Sequence, residues 1–283
     1  MIAREACVNM INSHPICIIG GYDSLSYDYY NEIKKINKNS IFINLNKKYV
    51  KKNGFFNINI FKLKEILLTL SKHKIKNILF IGKINRPNLS DFKYDGEIEK
   101  YLPILLENYK RGDGFILSAI IKIFRQKGFL VISPKDISSK FFINKNKMTK
   151  TLDKDDKLDI KKSVKILEEL SKYDNAQSLV ISNGYILGIE AAEGTDNLLK
   201  RVFSIRKSLD ELKQKSGFLV KLPKKNQSML IDLPVIGPKT IKLIIKANLR
   251  GIAIDSSYTI IHNKEKILQL IRKNDLKLFN IAR

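Results

Sequence analysis

Apolar positions along this chain come in short blocks with two different rhythms. Residues 16–19 form a continuous apolar run that breaks at Gly20-Gly21, and helical spacing follows over 25–36, so the chain opens with a β-α unit. Runs at 41–45 and 78–81 predict further strands, separated by a helix over 60–70 that carries Leu63, Ile66, Leu67 and Leu70 on one face. Behind Arg111-Gly112-Asp113-Gly114, the residues Ile116, Leu117, Ile120, Ile121 and Phe124 take helical spacing up to Gly128, and 129–132 adds another strand. Strand alternating with helix predicts an α/β fold, Rossmann-like with a mainly parallel sheet.

The period is lost over 133–156, where Pro134, Ser138-Ser139 and a run of Lys and Asn have the composition of an interdomain connection. A boundary near Lys140 divides the chain into domains 1–139 and 140–283. The second domain begins with a helix through Val164, Leu167 and Leu170, followed by a hairpin of 179–182 and 185–189 around Asn183-Gly184. Gly194-Thr195-Asp196 introduces the next helix, 218–222 is a strand, and a helix over 241–248 stops before Gly251. Strands at 252–254, 258–262 and 276–281, with a helix over 264–272, make this half α/β as well.

Charge changes the picture less than its size suggests. Lys and Arg number 52 against 28 Asp and Glu, a formal net charge of +24, which favours anionic partners. The lysines are scattered with Asn and Ile through every kind of element, so most of them are solvated surface. Cys7 and Cys17 are too few for a disulfide framework and suit a reducing cytosol. Residues 1–19, with Arg4 and Glu5 among them, offer neither a secretory core nor a membrane span, and an intracellular protein is expected.

Several chemistries lack their residues. There is no Gly-Lys-Ser or Gly-Lys-Thr loop and no Gly-x-Ser-x-Gly elbow, and His14, His73 and His262 have no zinc-ligand spacing. Carboxylates remain. Glu190, Glu193, Asp196 and Asp232 are oxygen donors of the kind that hold Mg²⁺, which takes one or two carboxylates and completes its shell with water and substrate phosphates. Asp232 ends an apolar run before Gly237-Pro238 opens a helix; at a strand-to-helix junction it either caps a turn or reaches a ligand. A phosphate ester or anhydride would fit, with Lys221, Lys224 or Arg86 stabilising developing charge. Gly20-Gly21 is either a phosphate cradle or a plain tight turn, and Arg86 follows Gly82 in a loop at a strand's carboxyl end, where open α/β sheets bind ligands.

The runs 80–87, Gly112-Asp113, 190–196, 221–224 and 232–240 resemble, in order and over nearly the whole chain, the LpxI-type UDP-2,3-diacylglucosamine pyrophosphatases. The resemblance implies two α/β domains with the active site in an interdomain cleft, and Mg²⁺-dependent hydrolysis of UDP-2,3-diacylglucosamine to UMP and 2,3-diacylglucosamine 1-phosphate in lipid A synthesis, water attacking the sugar-side phosphorus. It makes Asp232 necessary for activity; taken with the residue types above, catalysis falls to Asp232 with Lys221, and metal binding to Asp232, Glu190, Glu193 and Asp196. Substrate contacts would come from Gly20, Gly21, Gly82, Arg86, Gly112, Asp113, Gly194, Thr195, Lys224, Gln227 and Thr240. Two departures stand out: Tyr22-Asp23-Ser24-Leu25-Ser26 replaces a longer glycine run, and Ser228 and Leu230 stand where the family has an acid and a base. A diacylated substrate implies peripheral association with the cytoplasmic face of the inner membrane, and a homo-oligomer is allowed. The rival readings are a basic nucleic-acid-binding module, prompted by charge and by Tyr27, Tyr29 and Tyr30, and a nucleotide-sugar-binding transferase.

Overall fold

The computed structural model describes residues 13–84, 95–149, 151–224 and 228–281, without the side chains of Asp113 and Lys147. Arg86, Gln227 and the Asp113 side chain, all expected at the substrate, lie outside the described residues. The chain forms two compact units, Met1–Ser139 with Ser228–Asp232, and Lys140–Gln227 with Leu233–Arg283. Both are α/β.

In the first unit β1 (Ile16–Gly20), β2 (Ile41–Asn44), β3 (Phe55–Asn57), β4 (Asn77–Phe80) and β5 (Leu130–Val131) form one sheet in the order β3-β2-β1-β4-β5. Every pairing is parallel. β1, β2 and β4 are buried at every position, which is why the sequence shows unbroken apolar runs there rather than alternation. The helices are α1 (Ser24–Ile36), α2 (Leu63–Lys72), α3 (Leu102–Arg111) and α4 (Asp113–Gln126). The sequence pattern missed β3 and α3. β3 follows Lys51-Lys52-Asn53-Gly54 and is too short to show a period; stacking of Phe55 on Phe42, with ring centroids 4.8 Å apart, holds it to the sheet. No residue of α3 is fully buried: its apolar stripe, Leu102, Leu105 and Tyr109, is short and half-buried, with Leu105 against the core.

The strand order reverses direction between β1 and β4, and the loops leaving these two strands touch. A Cβ on Gly20 would stand 1.9 Å from the Ile81 carbonyl oxygen, and one on Gly21 the same distance from that of Lys83. Asp23 fastens the two loops together: Oδ1 accepts from Ser26 N at 2.8 Å, capping α1, and Oδ2 accepts from Lys83 N at 2.9 Å. The glycines are thus required by backbone contact, whatever else binds there. Gly20→Ala should destabilise the protein by about 2 kcal/mol through overpacking, a loss that thermal unfolding would report; an unchanged melting temperature would contradict the close approach.

In the second unit β6 (Ser178–Ser182), β7 (Tyr185–Ile189), β8 (Phe218–Lys221), β10 (Gly251–Ile254) and β12 (Lys277–Asn280) form a sheet in the order β12-β10-β8-β6-β7, and β9 (Val235–Ile236) pairs with β11 (Ile260–Ile261). β8, β10 and β12 are parallel, whereas β6 runs antiparallel to β8 and β7. The expected hairpin is present, with Asn183 and Gly184 both at positive φ, as its two-residue turn demands. Helices α5 (Lys154–Ser171), α6 (Thr195–Ser208), α7 (Pro238–Lys246) and α8 (Lys264–Lys273) complete the unit.

The division between the units falls at Ser139 and Lys140, within 133–156, and this connection is packed: helical turns at Pro134–Ile137, Ser139–Phe141 and Lys145–Lys147 carry Ile137, Phe141, Phe142, Ile143, Met148 and Leu152 into buried positions. Apolar anchors set among Lys and Asn carry no period but bury just as well. Asp232 does not end a strand. Ile231 packs in the first unit's core, Asp232 is exposed in the left-handed region at φ +62°, and the strand leading into α7 is β9, further on.

Candidate active site

A buried polar cluster lies within the second unit, at the carboxyl end of β8. Lys221 is the last residue of β8 and only 5% exposed. An ammonium group that far from water needs compensating partners. Its Nζ donates to Thr195 Oγ1 at 2.5 Å, and Thr195 Oγ1 donates in turn to Glu190 Oε2 at 3.1 Å. Ser178 Oγ, fully buried, also donates to Glu190 Oε2. The strand register explains the grouping, since Ser178 pairs directly with Lys221 across β6 and β8 and the two side chains share a face. Glu190 follows β7, and its backbone N donates to the Ser178 carbonyl at 2.9 Å.

Thr195 also begins α6, whose N-cap, Gly194, offers no side-chain cap. Gly237 likewise leaves the start of α7 without a side-chain cap. The first turns of the two helices are tied by Thr240 Oγ1 donating to Asp196 Oδ1 at 2.8 Å, with Lys239 Nζ 3.1 Å from Asp196 Oδ2. Two neighbouring helix starts with amides to offer, beside a buried ammonium, suit an anion. Four residues expected at the site, Lys221, Thr195, Glu190 and Gly194, are brought together here, and Asp196 and Thr240 join the same helix starts.

The other expected residues are held differently. Glu193 turns to Arg201 at 2.7 Å, and that hydrogen-bonded guanidinium holds its carboxyl below the usual carboxylate range. Lys224 bonds Asp174 Oδ1 at 2.9 Å. Gly20, Gly21 and Gly82 are in the first unit, at the carboxyl ends of β1 and β4, and Gly112 joins α3 to α4 at φ 125°. No group of three or more His, Cys, Asp or Glu side chains able to hold a metal forms among the described residues. Glu190, Glu193 and Asp196 each take a different set of protein donors. Sequence reasoning missed Ser178 and Arg201. Ser178 precedes the apolar run and has no local signal; only the antiparallel register places it opposite Lys221.

Residues 15–141 match the LpxI N-terminal domain and residues 144–279 the LpxI C-terminal domain. A curated relative, the UDP-2,3-diacylglucosamine pyrophosphatase LpxI of Caulobacter vibrioides, is 28% identical over 204 residues, covering 71% of this chain and 72% of the relative.

Proposed function

Because the chain belongs to the LpxI family, we propose that it is a UDP-2,3-diacylglucosamine pyrophosphatase, a hydrolase of lipid A synthesis that releases UMP and 2,3-diacylglucosamine 1-phosphate. The observation that carries this reading is the buried Lys221 ammonium beside two helix starts without side-chain caps. A pyrophosphate is the kind of anion that a buried ammonium and helix-start amides can bind. In the ground state the amides and Lys221 bind and orient the phosphoryl oxygens; as water adds to phosphorus and the bridging oxygen departs with UMP, they stabilise the added charge.

Mg²⁺ is part of the proposal. The donor set fits an ion held chiefly by substrate, because Mg²⁺ is commonly bound through one or two carboxylates plus phosphates and water. Asp232, exposed, is the residue that would hold it. When bound, the ion neutralises phosphoryl oxygens and favours attack by water.

The test is phosphorus NMR of the protein with UDP-2,3-diacylglucosamine and Mg²⁺ in ¹⁸O-labelled water, with EDTA as control. Label in the sugar phosphate is expected, since attack on the sugar-side phosphorus breaks its bond to the bridging oxygen. Label in UMP would reverse the point of attack, and no turnover would remove the proposed function.

A diacylated substrate has to be met at a lipid surface. No helix among the described residues is long and apolar enough to cross a membrane, and the +24 charge offers about 1 kcal/mol of attraction per basic residue brought near an anionic leaflet. We expect flotation with anionic vesicles at low salt and release at high salt; failure to float at low salt would dismiss peripheral association.

A further inference from the structure

We propose that Glu190 and Ser178 are positioning residues for Lys221, acting through the Thr195 hydroxyl, and that Glu190 is not a metal ligand. The role of Lys221 rests on the function proposed above; the hydrogen-bond chain itself does not. A hydroxyl has one proton to give. Thr195 gives it to Glu190 Oε2, 3.1 Å away, which leaves the oxygen's lone pairs as the acceptor for Lys221 Nζ at 2.5 Å. The Glu190 carboxylate therefore sets the direction of the Thr195 hydroxyl, and that direction fixes the ammonium.

Ser178 locks the far end. It is fully buried, donates to the same carboxylate oxygen, and lies 3.4 Å from Thr195 Oγ1, so the carboxylate is held from two sides. Ser178 also faces Lys221 directly across the strand pair. Both donors converge on Oε2, so Glu190 is oriented by the protein before any ligand arrives. A buried ammonium backed by a carboxylate one hydroxyl away keeps its aim, and a phosphoryl group meets a preset cation.

A double-mutant cycle tests this. Glu190→Ala and Thr195→Val should each lower kcat by about 10- to 100-fold, as loss of an orienting partner commonly does, with KM little changed. Glu190→Gln, which keeps an acceptor oxygen, and Thr195→Ser, which keeps the hydroxyl, should recover most of the loss. In a Lys221→Ala background, Glu190→Ala should cost less than about twofold more, because residues acting as one unit are not additive. Full additivity, or recovery of Glu190→Ala by raised Mg²⁺, would overturn the proposal.

A second readout is independent of turnover. In ¹⁵N-lysine-labelled protein, the Lys221 ammonium, assigned with Lys221→Arg, should give slowly exchanging Nζ protons that broaden away in Thr195→Val and Glu190→Ala. If the signal persists unchanged in both, the chain of hydrogen bonds does not hold Lys221. Should the wild type fail to hydrolyse the substrate while the signal behaves as expected, the proposed function falls and the positioning stands.

Discussion

Asp232→Asn should lower hydrolysis of UDP-2,3-diacylglucosamine by about 10²- to 10³-fold, the range seen when a group that stabilises transition-state charge is removed, while leaving the protein folded. The backbone at Asp232 is left-handed, with φ +62°. Asn adopts that conformation as readily as Asp, whereas Ala would add roughly 1 kcal/mol of strain and confuse the two effects. The side chain is exposed, so its charge contributes little to a core. The melting temperature should therefore move by less than about 2 °C, equivalent to under about 1 kcal/mol for a chain of this size. Asp232→Gly supplies the opposite control, since it relieves any backbone strain and should be equally inactive. Wild-type activity in either variant would remove Asp232 from the chemistry. An unfolded Asp232→Asn would make it a structural cap, the alternative that sequence spacing alone left open.

What the sequence made legible follows from how each feature is encoded. Strands buried on both faces, such as β1, β2 and β4, appear as unbroken apolar runs, and helices such as α1, α2, α4 and α5 as amphipathic stripes. The Rossmann-like sheet and the hairpin at Asn183-Gly184 could be seen for that reason. β3, three residues long, could not; α3 carries a short stripe at Leu102, Leu105 and Tyr109 that was not read. At the site, Lys221 was legible as a cation for developing charge and Thr195 as part of the Gly194-Thr195-Asp196 helix start. Ser178 and Arg201 were not, because one depends on a cross-strand register and the other on how the residues before α6 turn back toward it. The same gap explains the carboxylates. Their crowding in sequence suggested a shared ion, yet Glu193 turns to Arg201 and Asp196 to Thr240, each satisfied on its own element or its neighbour.

Arg206 was invisible to sequence reasoning and should carry the largest stability effect of any single side chain considered. It sits on α6, fully buried. No described carboxylate forms an ion pair with it. Its guanidinium instead donates to the carbonyl oxygens of Ser216 at 2.8 Å, Glu211 at 2.9 Å, Gln214 at 2.9 Å and Asn248 at 3.3 Å, and to Ser216 Oγ at 3.0 Å. These acceptors lie on the segment leading into β8 and on the turn after α7, so one planar group gathers the backbone of two connections. Arg206→Ala would leave several of those carbonyls without a donor and open a cavity; together the expected cost is about 3 to 5 kcal/mol. At 2–4 °C per kcal/mol, the melting temperature should fall by roughly 10 °C. Arg206→Lys should recover little, because an ammonium cannot spread its donors over so wide a fork. Burial works against the charged form, lowering its pKa. The carbonyl contacts have to outweigh that desolvation, and a melting temperature unchanged in Arg206→Ala would show that they do not.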